Sequence, residues 1–267
     1  MPAIIFLFNE QMEFFDSHTH IDHVDFDNDR EEVISRAKSA GVTRMLTVGP
    51  SDGIDSSRRA VAIANSHDGI WASVGIHPHD VEKDFTYDTL RALASNEKVV
   101  AIGESGLDYF RDWSPFDKQE EHFRLHIELA LEIKKPLIIH SREAASQCLK
   151  ILKSMHADLI GGVFHCYSGD ADFAKELANM NFLVSFAGSL TFKNAQVLRE
   201  TASKIPIEQI LIETDAPFLS PLPYRGRRCE SAYVVETAKC LAQIKGLPLE
   251  EIAELTTRNT MRLLGIF

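Results

Sequence analysis

Four things are scarce in this chain, and each scarcity excludes something. Cysteine occurs 4 times, as Cys148, Cys166, Cys229 and Cys240, with no C-x-x-C pair among them. Cys148 and Cys240 fall in helical patterns as small apolar groups, so the expectation is a reduced, cytoplasmic protein. Positive charge is also in deficit: 28 Lys and Arg stand against 39 Asp and Glu, a formal net charge of -11. Broad electrostatic adhesion to nucleic acid needs a basic face and is disfavoured, which leaves room only for a local basic pocket. Long apolar runs are missing as well. The opening stretch from Pro2 to Phe8 is too short to span a bilayer, has no basic residue before it, and meets Asn9 and Glu10 where a cleavage site would need small residues. It reads as an N-terminal extension over 1–11, with Met12 as an alternative start, and no membrane association is expected. Finally, no Gly/Ser/Pro linker or low-complexity segment marks a domain boundary.

What is present is a regular alternation. A chain of 267 residues, 45% hydrophobic and 25% charged, has the size of one (β/α)8 barrel and the composition of a globular protein. Short, nearly all-apolar runs near 13–16, 44–48, 70–75, 99–103, 137–139, 161–164, 182–185 and 210–212 read as strands buried on both faces. Amphipathic stretches at 30–40, 55–66, 86–95, 117–134, 143–155, 171–180, 194–203 and 232–243 read as the helices between and after them. Gly41, Pro136 and Pro206 punctuate that division. The tail over 247–267 reads as one or two further helices, with Leu249, Ile252 and Leu255 at core-facing spacing. A single barrel domain over 12–267 is therefore expected, with a doubly wound open sheet as the competing architecture.

Metal-ligand residue types recur where these runs end. His18-Thr19-His20 follows Met12 to Phe15, and residues i and i+2 of a strand share a face, so two imidazoles so spaced can grip one ion. Glu104 follows Val99 to Gly103, His140 follows Leu137 to Ile139, His165 follows Gly162 to Phe164, and Asp215 comes shortly after Ile210 to Ile212. Singly, each has an ordinary alternative as a satisfied core histidine, an N-cap or a salt-bridge partner. Together they supply four imidazoles and two carboxylates, more than one tetrahedral ion requires. Two divalent ions fit that surplus, one on His18, His20 and Asp215, another on His140 and His165, with Glu104 between. Such a pair can acidify a shared water and hold the attacking and leaving oxygens of a phosphoryl displacement. The mixed donors suit Zn, Mn, Co or Mg and do not choose among them. A closed barrel explains the pattern better than an open sheet, because it gathers the C-terminal strand ends around one mouth.

Seven stretches, Asp16-Ser17-His18-Thr19-His20, Gly75-Ile76-His77-Pro78-His79, Gly103-Glu104-Ser105-Gly106-Leu107-Asp108-Tyr109, His140-Ser141-Arg142-Glu143-Ala144, His165-Cys166-Tyr167-Ser168-Gly169, Glu213-Thr214-Asp215-Ala216-Pro217 and Pro223-Tyr224-Arg225-Gly226, resemble those of the TatD-type metal-dependent hydrolases and deoxyribonucleases. The resemblance runs from about Phe14 to the C-terminus in the family's order. It implies a TIM barrel of the amidohydrolase-like superfamily that cleaves DNA phosphodiesters with divalent metal and a metal-activated water, with attack from a strand end left open. It also implies the same six metal ligands, with Glu104 bridging; Asp215 and Glu104 are the candidate catalytic residues, since a carboxylate such as Asp215 beside a nucleophilic water can both hold metal and accept a proton. Two positions depart from the family pattern: His126, where Gln is frequent, and Cys229-Glu230-Ser231, where Asn-Glu-Pro is frequent.

Around these ligands, His77 ends the third strand before Pro78 and is a candidate phosphate contact, with a backbone-bonded loop histidine as its alternative. Arg142 and the group Arg225, Arg227 and Arg228 offer guanidinium groups, which pair with phosphate through two parallel hydrogen bonds. For Arg227 and Arg228, solvated surface positions are the alternative. Tyr109, Phe110 and Trp113 either stack on a base or pack over the rim. DNA is the substrate partner so expected, and no obligate protein partner is indicated. Competing functions are a binuclear amide, lactone or ester hydrolase, since fold does not decide substrate, and a metal-binding scaffold without turnover.

Overall fold

Strands that are apolar on both faces need cover on both faces, which parallel sheets obtain from crossover helices. The computed structural model describes residues 12–49, 52–83 and 85–267, and its eight strands are β1 (Phe14–Thr19), β2 (Val42–Val48), β3 (Ile70–Val74), β4 (Val99–Asp108), β5 (Leu137–Arg142), β6 (Gly162–Phe164), β7 (Phe182–Phe186) and β8 (Ile210–Ile212). They pair in parallel in sequence order. The ring closes between its ends: the Ser17 hydroxyl donates to the Ile212 carbonyl at 2.9 Å, the Asp215 N–H to the His18 carbonyl at 2.9 Å, and the His20 N–H to the Ala216 carbonyl at 2.8 Å. This is the expected (β/α)8 barrel. The extension read over 1–11 lies outside the described residues.

One helix follows each strand: α1 (Arg30–Ser39), α2 (Ile54–Ser66), α3 (Tyr87–Ala94), α4 (Phe116–Ile133), α5 (Ala145–Ser154), α6 (Ala171–Ala178), α7 (Gln196–Lys204) and α8 (Val234–Lys245). Their ends follow local chemistry. The Thr86 side chain accepts from the Thr89 N–H to start α3, and Asp170 accepts from the Phe173 N–H to start α6. The tail forms one helix, α9 (Leu249–Leu264), ended by Gly265 in the left-handed conformation. Among the described residues, no helix is long and apolar enough to cross a membrane.

Two apolar clusters result. The larger one lies between sheet and helices. The smaller holds Phe15, Leu46, Val48, Ala101, Ile138, Val163 and Leu211, contributed by different strands, together with Leu264 of α9. These residues fill the barrel's interior, and α9 closes its lower end. With that end sealed, chemistry is confined to the opposite mouth.

Strand limits differ from the sequence reading at the mouth. β1, β4 and β5 run on through His18, Glu104 and His140, where the apolar runs stop earlier. Pairing with the neighbouring strand, not apolarity, extends them: Gly106 to Asp108 stay in register with His140 to Arg142. That register depends on Gly106. Its φ is +144°, and a Cβ there would stand 2.0 Å from the His140 carbonyl oxygen. Gly106→Ala should therefore lose about 1–3 kcal/mol of stability, read as a lower urea midpoint. An unchanged midpoint would mean that β4 and β5 part there without cost.

Candidate metal centre

The two-residue period of the strands carries the interior packing upward into the site. Ile138 and Val163 fill the barrel, and two residues on, His140 and His165 share their inward faces. Both converge on one oxygen of Glu104: His140 Nδ1 lies 2.7 Å and His165 Nε2 2.7 Å from Oε1. The other oxygen, Oε2, lies 3.3 Å from His18 Nε2. Asp215 Oδ1 completes the opposite side, 3.3 Å from His20 Nε2 and 3.8 Å from His18 Nε2. All six residues singled out in the sequence are thus brought together, with the two Glu104 oxygens facing the two halves of the set. Their ligand atoms group as His18, His20 and Asp215 on one side and His18, Glu104 and His165 in the middle.

The electrostatics are those of a cation site. Burial alone would raise the Glu104 carboxyl's pKa, but the surrounding imidazoles outweigh it and hold the group well below its ordinary range. Burial opposes protonation of His20 and His165 too, yet contacts to Asp215 push His20 up to about 9, and those to Glu104 raise His165 well above its usual value. Asp215 is lowered against the opposing effect of burial by His20 beside it. The carboxylates thus favour protons on His20 and His165, whereas burial disfavours one on His18.

Two observations test whether a divalent ion fits here. Neither ring nitrogen of buried His18 makes a hydrogen bond, a costly condition unless a ligand takes one of them. His20 Nδ1 lies 2.8 Å from the Val48 carbonyl oxygen, which fixes that nitrogen as donor and leaves Nε2 toward Asp215. Both fit ligation by neutral imidazoles, which requires loss of the protons just described.

A supporting layer went unassigned in the sequence. Asp108 is fully buried, with Oδ2 accepting from His79 Nε2 at 2.8 Å and lying 3.1 Å from His140 Nε2. It thereby turns His140 Nδ1 toward Glu104. Glu213 accepts from the Cys166 N–H and from the Ser185 hydroxyl behind His165. The signal available for both was their place in motif stretches, Leu107-Asp108 and Glu213-Thr214, yet carboxylates there read equally as caps. Asp215 and Cys166 adopt φ of +59° and +48°. Such backbone is uncommon outside glycine and concentrates at functional sites.

His77 sits deeper than a phosphate contact alone would require. Its Nε2 is 3.2 Å from His140 Nδ1 and 3.5 Å from Glu104 Oε1, so it shares the ligand cluster. Burial, then the nearby His140, push its pKa down to about 4. His126 explains one departure from the family pattern: Nε2 accepts from the Ile76 N–H at 2.9 Å while Nδ1 donates to the His122 carbonyl at 2.7 Å. A glutamine amide could accept and donate likewise, and either residue would pin the loop that carries His77.

The arginines divide. Arg142 is exposed and lies over the Phe110 ring at 3.9 Å, and Arg225 lies over the Phe192 ring at 3.9 Å. Among the described residues neither has a carboxylate partner. Arg228 is committed to Asp29 and Glu230, which corrects its grouping with the mouth arginines, and Arg227 is exposed. Tyr109 packs on the rim with its hydroxyl on Glu120, whereas Phe110 and Trp113 are 50% and 60% exposed and free to take a partner.

A parallel barrel with such a mouth defines a class, the TIM-barrel hydrolases, but the fold by itself assigns no substrate. Relatives narrow it. YabD of Bacillus subtilis, named an uncharacterized metal-dependent hydrolase, is 44% identical over 256 residues, covering 94% of this chain and 99% of its own. A protein of Cronobacter sakazakii named 3'-5' ssDNA/RNA exonuclease TatD is 35% identical over 256 residues, covering 93% and 97%. The crystal structure of YjjV, a TatD homolog from Escherichia coli K12, superposes with a TM-score of 0.89 at 28% identity over 96% of this chain and 99% of that one. The family described as TatD related DNase matches residues 15–265, and the chain belongs to it as a metal-dependent hydrolase.

Proposed function

We propose that this protein hydrolyses DNA phosphodiester bonds. The carrying observation is the pairing of a candidate cation site with two guanidinium groups that, among the described residues, have no carboxylate partner, in an otherwise acidic protein. His18, His20 and Asp215 would hold one divalent ion and His140 and His165 the other, with Glu104 reaching both. Bound there, divalent ions lower the pKa of a water and stabilise charge developing on phosphate.

The chain's own groups do the rest. The Asp215 side chain is 14% exposed and Glu104 only 2%. Asp215 therefore accepts the proton of the attacking water, and sealed Glu104 acts as a ligand. Arg142 and Arg225 bind non-bridging phosphate oxygens, and His77 steadies the reacting group beside Glu104. Assay of metal-reconstituted protein on single- and double-stranded DNA, RNA and small amides, lactones and esters, with Mg, Mn, Zn and Co in turn, tests the reading. DNA cleavage is expected. Turnover of carbonyl compounds with no nucleic acid cleaved under any ion would replace it with the binuclear carbonyl hydrolase.

Arg225 gives an independent check. Arg225→Ala should weaken DNA binding and reduce the log–log salt slope by about one unit or less, because one fewer condensed ion is released. DNA affinity across a salt series measures this, and an unchanged slope would remove Arg225 from the phosphate contacts.

A further inference from the structure

Phe110 and Trp113 are the two large rings left open on the loop that leaves β4, and they are not isolated. The Arg111 guanidinium lies 5.3 Å from the Phe110 ring and 4.9 Å from the Trp113 ring, and Arg142 covers Phe110 at 3.9 Å. The Trp113 ring meets the His79 ring edge-on at 4.6 Å. His79 is hydrogen-bonded to Asp108, which contacts His140, so the open rings stand one supporting imidazole away from the candidate metal centre. Two exposed rings interleaved with two cations, in a chain of formal net charge -11, match an unpaired base with its phosphates: the π-face stacks and the guanidinium groups take the charge.

We infer that Phe110 and Trp113, with Arg111 and Arg142, form a stacking platform for an unstacked nucleobase beside the bond to be cut, and that this platform selects single strands over duplex. This inference rests on the phosphodiesterase reading above. Its physical basis is simple. In a duplex both faces of each internal base are covered by its neighbours, so a base reaches an aromatic ring only after unstacking, which costs a few kcal/mol. A single strand offers that face at little cost. Stacking on Phe110 and Trp113 therefore adds affinity for single strands through rings that take no part in hydrolysis, while Arg142 is shared with the phosphate contacts.

The test uses the chain's two tryptophans. Trp71 is stacked on Phe15 at the closed end of the barrel, which leaves Trp113 as the reporter at the mouth. Metal-loaded full-length protein titrated with phosphorothioate-linked oligothymidylate should lose Trp113 fluorescence, and the Trp113→Phe variant should show no such quench. A phosphorothioate deoxyribose chain without bases should bind more weakly and quench neither. In steady-state assays Trp113→Ala should raise KM for single-stranded DNA roughly 5- to 150-fold with kcat little changed, the usual worth of one stacked base. KM for duplex should stay the same, and Trp113→Phe should restore most of the single-strand affinity. DNA cleavage by wild type together with an unchanged single-strand KM in Trp113→Ala, or an equal quench by the base-free chain, overturns the platform and leaves the nuclease reading intact. If wild type cleaves no nucleic acid and shows no quench, both readings fall.

Discussion

Glu104→Ala is expected to bind neither divalent ion stoichiometrically and to lose activity by on the order of 100-fold or more. Glu104 is the residue that faces both halves of the candidate centre, within 2.7 Å of His140 and His165 and 3.3 Å of His18. Removing a group that merely supports a ligand costs roughly 10- to 100-fold in affinity or activity, and removing a shared ligand should exceed that. Deleting a buried carboxylate also strands the imidazoles it neutralises, so Glu104→Ala carries a risk of misfolding. Glu104→Gln keeps the volume and removes the charge. Equilibrium dialysis with elemental analysis on both variants, with circular dichroism as the folding control, decides the matter. Retention of both ions and full activity by a folded variant would refute the bridged arrangement.

Asp215→Asn is expected to lower kcat by on the order of 100-fold or more, the usual contribution of a general base, while the protein stays folded. An amide has nearly the same volume but is a poor proton acceptor and a weaker ligand. The backbone at this position has a φ of +59°, which asparagine tolerates as readily as aspartate. Its N–H bond to the His18 carbonyl, which helps close the barrel, is a main-chain interaction and is kept. The expected signature is a collapsed rate with an intact melting transition. Wild-type turnover in a folded Asp215→Asn protein would transfer the proton acceptor's role elsewhere.

These two variants also separate the class of enzyme from its substrate. Metal dependence belongs to the family, and both changes test which residues carry it here. Neither distinguishes a phosphodiester from a carbonyl substrate, because either reaction needs the same cation site. That distinction falls to Arg225 and Trp113, which lie outside the ligand set and are the proposed contacts to phosphate and base.

The number and order of strands, the helices between them and the six residues that converge at the mouth were legible in the sequence because each is written in a local code. A strand covered on both faces must be apolar throughout, a helix on such a sheet must be apolar on one side, and ligand types stand out where an apolar run stops. Three features needed the tertiary structure. β1, β4 and β5 extend through the mouth because a neighbouring strand holds them there, and the residues in those extensions are largely polar or glycine, so apolarity gives no sign of it. Asp108 and Glu213 carried no role in the sequence beyond their place in the motif stretches, and only the barrel brings His140 and His165 against them. Arg228 looked as free as Arg225 until Asp29 and Glu230 folded onto it. Partnership between residues far apart in the chain depends on ring closure, a property of the whole sheet that no window of sequence encodes; residue type and period were enough for the rest.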